Sequence, residues 1–341
     1  MEKSKPTLEE WKALYDAAIE FRKIEPWKWV KETDVFSVQD LQTGEIGYCC
    51  IMGELGEVLA LAVYHGTEGL NGYKKILKRQ INPGDTDSLF IQDCLIVMFE
   101  SKRFVEKEDI QLINKLGYIF KGKNAWPVFK SYKPGYFPWF LSKDEALYMT
   151  DALSQAKDVC LRLKENNKML HAPKKNHYFI RVPEVKGDVV VWKDEWREPD
   201  PVKPEDPVNV HVDEVRLQRI KNSLKQSTAI WEIGFFLAPT PVMEGERPYF
   251  PQAIMIADHD TGFIRDVHLA HKDACQQEFS DKFLLCMENA KAVPLEILVR
   301  KKESAKCLEP LATLLNIKIS EVKKLQNIDN ASRSMMKFFK R

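Results

Sequence analysis

The stretch QAIMIADHDTGFIRDVHL, residues 252–269, is the clearest β-hairpin signal in the chain. Two apolar runs flank the polar triplet Asp260-Thr261-Gly262, which is typical of a tight turn between strands. Another apolar run, 229–238, precedes the hairpin, and alternating helical and strand patterns follow it, ending in a helix at 331–339. Together they predict the element order βββαβαβα for the C-terminal half.

A similar order is predicted for the N-terminal half. Thr7-Leu8-Glu9-Glu10 forms a capping box that opens a helix ending before Pro26. The run 94–99 is continuously apolar, as in a strand buried on both faces. The remaining elements are predicted as a meander at 34–39, 47–52 and 58–64, helices at 70–79, 106–116 and 142–168, an aromatic-rich extended segment at 126–139, and strands at 178–182 and 189–192. A second capping box, Ser142-Lys143-Asp144-Glu145, opens the last of these helices. We therefore expect an α+β fold in both halves, arising either by duplication or by chance.

The proline-rich stretch EWREPDPVKPEDP, residues 195–207, marks the expected domain boundary. Four prolines lie between 199 and 207, so this segment cannot join a helix or sheet and is typical of an exposed linker. We predict an N-terminal domain at 1–198, a linker at 199–207 and a C-terminal domain at 208–341. The length of 341 residues also favours two domains.

Composition excludes little. Lys and Arg number 51 against 50 Asp and Glu, so net charge gives no general attraction to nucleic acid or anionic membrane, although a local patch is compatible with it. No apolar stretch has the length of a signal peptide core or a membrane span, and we expect a cytoplasmic protein. The seven cysteines are odd in number and mostly lie in apolar runs, which indicates reduced core thiols.

Several motifs carry a resemblance to uncharacterised bacterial proteins. In the N-terminal half these are Pro26-Trp27-Lys28-Trp29, Gly53-Glu54-Leu55-Gly56-Glu57 and Pro134-Gly135-Tyr136-Phe137-Pro138-Trp139; in the C-terminal half they are 294–300 (PLEILVR) and 311–317 (LATLLNI). The two halves resemble two bacterial domains of unknown function that occur in tandem. The resemblance implies a bacterial origin and a two-domain layout, and it brings no catalytic residues.

The element order of the C-terminal half also resembles the ribonuclease H-like fold of nucleases. That resemblance implies two metal ions held by carboxylates on the first strand, first helix, fourth strand and last helix. The matching candidates are Glu232, Glu278 or Asp281, and Asp329. The fourth strand instead ends in Arg300-Lys301-Lys302, which opposes a metal site. The N-terminal half offers the carboxylates Asp34, Glu68, Glu100 and Glu145 without a motif, and we interpret all of these as surface carboxylates.

Two further clusters have competing interpretations. The predicted hairpin is rich in histidine and aspartate: Asp258, His259, Asp260, Asp266, His268, His271 and Asp273. His268 and His271 suggest a metal site, but the polar character of turns explains the same composition. The aromatic run 126–140 interleaves with Lys123, Lys130 and Lys133, as in a platform for stacked bases, although such aromatics also fill cores. We assign no catalytic, cofactor-binding or metal-binding residue. The sequence favours a non-catalytic binding or interaction module, with nucleic acid as a candidate partner; the alternative is a metal-dependent nuclease or related phosphoryl-transfer enzyme.

Overall fold

In the computed structural model, the protein is a mixed α+β chain that divides into two compact units. The structure describes residues 4–81, 86–202, 213–238, 240–271, 275–300 and 302–339, which form eight α-helices and fourteen strands. Unit 1 comprises Met1–Pro134 and Pro138–Lys203, and unit 2 comprises Gly135–Phe137 and Pro204–Arg341. The predicted linker 199–207 lies mostly outside the described residues, so its boundaries stay a prediction.

Unit 1 is built on a seven-stranded sheet in the order β5-β4-β3-β2-β1-β6-β7. Its strands are β1 Phe36–Gln39, β2 Ile46–Met52, β3 Ala60–His65, β4 Cys94–Glu100, β5 Trp126–Tyr132, β6 Tyr178–Lys186 and β7 Val189–Arg197. The first five strands pair antiparallel in sequence order, whereas β6 returns to pair parallel with β1. The antiparallel meander and the doubly buried strand predicted at 94–99 are both confirmed.

Helices cover both faces of this sheet because its strands are apolar on both sides. Unit 1 has α1 Leu8–Lys23, α2 Gly66–Leu77, α3 Lys107–Lys115 and α4 Lys143–Glu165. Along β2, Cys49 and Ile51 point to the core that contains α1 and α4, while Tyr48 and Cys50 point to the core beneath α2. The capping boxes predicted at α1 and α4 are both present.

Unit 2 contains a five-stranded sheet in the order β11-β10-β9-β13-β14. The strands of unit 2 are β8 Lys225–Gln226, β9 Ile230–Leu237, β10 Gln252–Asp258, β11 Ile264–Ala270, β12 Ala292–Val293, β13 Glu296–Val299 and β14 Lys318–Glu321. The helices of unit 2 are α5 Glu214–Ser223, α6 Cys275–Ala290, α7 Lys302–Leu314 and α8 Gln326–Phe339. β9, β10 and β11 form the predicted antiparallel meander, β13 pairs parallel with β9, and β14 pairs parallel with β13. The order βββαβαβα is therefore present, with the short strands β8 and β12 pairing separately.

Two predicted helix starts were wrong by four or five residues. α2 begins at Gly66 and not at residue 70, and α8 begins at Gln326 and not at residue 331. Glycine has a low helix propensity, so the three glycines in α2 weaken its sequence signal. The start of α8 is fixed by a side chain from a distant strand, described below. In the described part of the chain, no helix combines the length and apolarity needed to cross a membrane.

Candidate ligand-binding cavity

A cavity of about 250 Å³ lies in unit 1, at the end of the sheet where β6 and β7 meet α2 and α4. The residues that line it come from the segment before β1, from α2, from the end of α4 and its connection to β6, and from the paired strands β6 and β7. They are Thr33, Asp34, Val35, Leu70, Tyr73, Lys74, Leu77, Leu163, Asn167, Leu170, His171, His177, Tyr178, Phe179 and Trp196. Four separate stretches of sequence therefore build one site.

Aromatic rings are prominent in the lining of the cavity. Phe179 and Trp196 face each other across β6 and β7, and their rings meet edge to face at 5.6 Å. Phe179 is buried, so it holds the half-exposed indole of Trp196 in place. Tyr178, the neighbour of Phe179 in β6, points to the other face of the sheet and carries the Lys74 ammonium over its ring at 5.3 Å. The cavity thus offers π surface and a cation to the same ligand.

The hydroxyl of Tyr73 is committed to the fold rather than to a ligand. It donates to the carbonyl oxygen of Glu32 at 2.5 Å and accepts from the Cys50 thiol at 3.1 Å. Burial raises the pKa of Tyr73 well above its ordinary value, so this phenol stays protonated. Asp34 is the one acidic residue among those lining the cavity, and it accepts the Lys31 amide at 3.0 Å.

Two basic segments border the cavity. We call them the cationic rim: residues 74–81, at the end of α2, and residues 166–177, between α4 and β6. Together they contain seven Lys and Arg residues and no Asp or Glu. These residues are Lys74, Lys75, Lys78, Arg79, Lys168, Lys174 and Lys175. Within the described part of unit 1, none of the seven forms an ion pair, whereas His177 lies 3.6 Å from Glu198. A chain that is nearly neutral overall therefore carries a local excess of positive charge.

The prediction that Glu232, on the first strand of unit 2, is a surface carboxylate was wrong, because the start of α8 packs over it and its side chain is fully buried. It accepts the backbone amides of Asn327 at 3.0 Å and Ile328 at 3.2 Å, and the side-chain amide of Asn327 at 3.2 Å. The ring of His259 lies 2.8 Å away on the other side. Because those amides belong to the first turn of α8, Glu232 acts as the cap of that helix from a different strand.

The other carboxylates suggested by the nuclease resemblance have partners of their own. Asp329, in the first turn of α8, pairs with Arg300. Glu278 pairs with His268 at 2.6 Å. The strand register places His268 level with Phe235, which is three residues from Glu232 along β9, a distance of roughly 10 Å in the strand direction. Asp281 is exposed on α6. Of the cations predicted at this strand end, Lys301 and the side chain of Lys302 lie outside the described residues.

The His/Asp cluster around the β10–β11 hairpin is divided among separate partners. The carboxylate of Asp258 accepts hydrogen bonds from the backbone amide and the hydroxyl of Thr261, and it accepts another from the guanidinium of Arg265 at 2.6 Å. Burial of Asp258 would raise its pKa, but these hydrogen bonds outweigh it and the pKa is lowered. His271 packs against Tyr249, whereas His268 pairs with Glu278. Among the described residues, no group of three His, Cys, Asp or Glu side chains is arranged to hold a metal ion; Asp273 lies outside them.

The N-terminal candidates also have separate positions. Asp34 lines the cavity, Glu68 is exposed on α2, and Glu100 ends β4. Glu145 completes the capping box of α4 and pairs with Lys133 at 3.3 Å. In the aromatic run, Trp126 and Phe129 are buried in the core of unit 1, so they offer no open stacking surface.

Sequence reasoning did not single out the cavity, because its residues come from four stretches without a shared motif. One signal was available: the acid-free basic segments 74–81 and 166–177 stand out in a chain of balanced charge.

Comparison with known proteins gives two matches to family models. A model described as Domain of unknown function (DUF7309) matches residues 11–181, and a model described as Domain of unknown function (DUF6930) matches residues 216–336. The chain thus carries two domains of unknown function in tandem. No curated protein and no solved structure matches the chain.

Proposed function

Since the chain belongs to the family described as Domain of unknown function (DUF7309), we propose its function from its own geometry: a non-catalytic binding protein whose unit 1 holds single-stranded nucleic acid. One observation carries the proposal, namely the cationic rim around an aromatic-walled cavity. Lysine and arginine side chains neutralise phosphates, and aromatic rings stack with bases, which is the combination that sequence-tolerant single-strand binding uses.

The non-catalytic part of the proposal rests on unit 2. Two-metal chemistry needs carboxylates that are open to the metal ions and close to each other. Glu232 is instead saturated by the start of α8 and His259, and Asp329 is neutralised by Arg300. The ribonuclease H-like resemblance of unit 2 remains a prediction. We also propose a cytoplasmic location, which suits the free, buried thiols of the described cysteines.

The test measures binding of a fluorescent single-stranded oligonucleotide to the full chain by anisotropy at several salt concentrations. We expect a dissociation constant of about 10⁻⁴–10⁻⁶ M that weakens with salt. The triple substitution Lys75→Glu, Lys78→Glu and Arg79→Glu should weaken binding at least ~10-fold. It should also lower the salt slope by about 2, because each lost phosphate contact removes ~0.7 from it.

A matched control makes the same change in net charge at lysines that lie away from the cationic rim. Lys12, Lys121 and Lys123 are exposed, and the last two precede β5, at the sheet edge opposite β7. Their triple substitution by Glu changes net charge by the same amount, so equal loss in both variants would refute a defined rim. Binding to vesicles with anionic lipid but not to oligonucleotides would also overturn the proposal.

The same oligonucleotides incubated with magnesium or manganese test the enzymatic alternative. We expect no cleavage, because Glu232 and Asp329 are occupied within the fold. Cleavage by the purified protein that is lost in Glu232→Gln, and that a vector-only preparation lacks, would favour the nuclease.

A further inference from the structure

We infer that the cavity of unit 1 takes one unstacked base of the bound strand, stacked on Trp196, and that it prefers a base with a hydrogen-bond donor edge, guanine first. This inference rests on the proposed function, and it specifies which part of the bound strand the cavity recognises. The cationic rim has no means of distinguishing one base from another, because phosphates carry no sequence information.

The size of the cavity sets the first limit. A volume of about 250 Å³ is below the range of roughly 300–1,000 Å³ that is usual for drug-sized ligands. At the ~30 Å³ that one water molecule occupies in the liquid, or somewhat less for each atom of a bonded ring system, the cavity holds roughly 8–12 non-hydrogen atoms. That is the size of one nucleobase, so neighbouring nucleotides must stay outside, against the rim.

The aromatic wall sets the second limit. Lys74 already lies over the Tyr178 ring, so Trp196 is the larger π surface left to a planar ligand. The indole is braced edge-on by Phe179, which is itself 4 % exposed, and a rigid ring loses little entropy when a base stacks on it. A base can reach this wall only when it is unstacked from its neighbours, which excludes an intact duplex.

The polar lining selects among the bases. Asp34 is the one carboxylate in the cavity, and an ionised carboxylate only accepts hydrogen bonds. Guanine presents a ring N–H and an amino group side by side, which suit two carboxylate oxygens; uracil presents a single N–H between two acceptors. Lys74, which also lines the cavity, supplies the cation that meets the phosphate following the base.

The experiment titrates the full chain with guanosine monophosphate, uridine monophosphate and ribose 5-phosphate, and separately with a single-stranded oligonucleotide over a salt series. We expect the guanine nucleotide to bind most tightly and ribose 5-phosphate most weakly. Trp196→Leu should weaken the guanine nucleotide and the oligonucleotide by between about 5- and 150-fold while leaving the salt slope unchanged. Asp34→Asn should reduce the preference for guanine over uracil.

The matched control is Trp192→Leu, on the same strand β7 but absent from the cavity lining. Circular dichroism and thermal unfolding check that each variant folds. If Trp196→Leu equals Trp192→Leu while the oligonucleotide still binds through the rim, the base site is wrong and the proposed function stands. If ribose 5-phosphate binds as tightly as the nucleotides, the cavity is only a phosphate site and the inference fails. If neither oligonucleotide nor nucleotides bind, both proposals fail together.

Discussion

Replacing Glu232 with alanine should destabilise unit 2 by about 3–5 kcal/mol, the usual cost of breaking a buried charged network on one side. The carboxylate is 0 % exposed and is the acceptor for two backbone amides and one side-chain amide at the start of α8. Its loss removes a helix cap, worth about 1 kcal/mol, and leaves buried donors unpaired at about 1–3 kcal/mol each. The individual costs overlap, so we take the lower end of their sum.

The isosteric change Glu232→Gln separates a structural carboxylate from a catalytic one. Glutamine keeps one acceptor oxygen but turns an NH₂ group toward the α8 amides, so we expect a loss of roughly 1–3 kcal/mol. A carboxylate held in a repulsive metal-binding cluster behaves in the opposite way, because strained active-site groups commonly lower stability. The sign of the change in unfolding free energy therefore distinguishes the two roles.

The assay is urea unfolding of the full chain, read by pulsed hydrogen exchange and mass spectrometry so that peptides of unit 2 are followed separately from those of unit 1. The control is Glu321→Gln, at the exposed end of β14, which should stay within about 0.5 kcal/mol of the parent chain. If Glu232→Gln matches or exceeds the parent chain in stability, the capping argument is refuted.

Three further predictions concern unit 1 and the boundary. Burial raises the pKa of Asp109 from 3.8 to about 6. Asp109 therefore contributes roughly 3 kcal/mol to the free energy of unfolding below pH 3.8, and this contribution is lost as pH rises through 6. Asp109→Asn should abolish that fall in urea midpoints measured from pH 4 to 7, and an unchanged pH profile would contradict it. Alanine has the higher helix propensity, but Gly72→Ala should lower the free energy of unfolding by at least ~2 kcal/mol in thermal unfolding, because the new Cβ would lie 2.2 Å from the Ile91 carbonyl oxygen. The control is Gly245→Ala, where the new Cβ would meet open space. Proteinase K should cut first within 199–207, and earlier internal cuts elsewhere would place the boundary differently.

Local signals in the sequence predicted the elements that depend on neighbouring residues. The β10–β11 hairpin was predicted because alternation and a glycine turn lie within eighteen residues, and Gly262 indeed adopts a positive φ of 71°. The caps of α1 and α4 were predicted because each capping box spans four residues.

The start of α8 shows where such reasoning ends. Its first turn has no local Ser, Thr, Asp or Asn cap, since Leu325 precedes Gln326. The cap comes from Glu232, which is 95 residues away in sequence from Asn327. No short window of sequence contains both partners. The same is true of the cavity, because Asp34 and Trp196 line the same space only after the sheet has formed.

The two units share an element order but not a sheet. After its meander, unit 1 adds β4 antiparallel to β3, whereas unit 2 carries α6 across so that β13 lies parallel to β9. The connecting segments 66–93 and 271–295 are of similar length, so length alone does not decide between the two pairings. A duplication that kept its fold would keep these strand neighbours, and the difference therefore favours independent origins. It follows that the cavity of unit 1 needs no counterpart in unit 2, and that loss of binding in unit 1 variants should not be rescued by the other half of the chain.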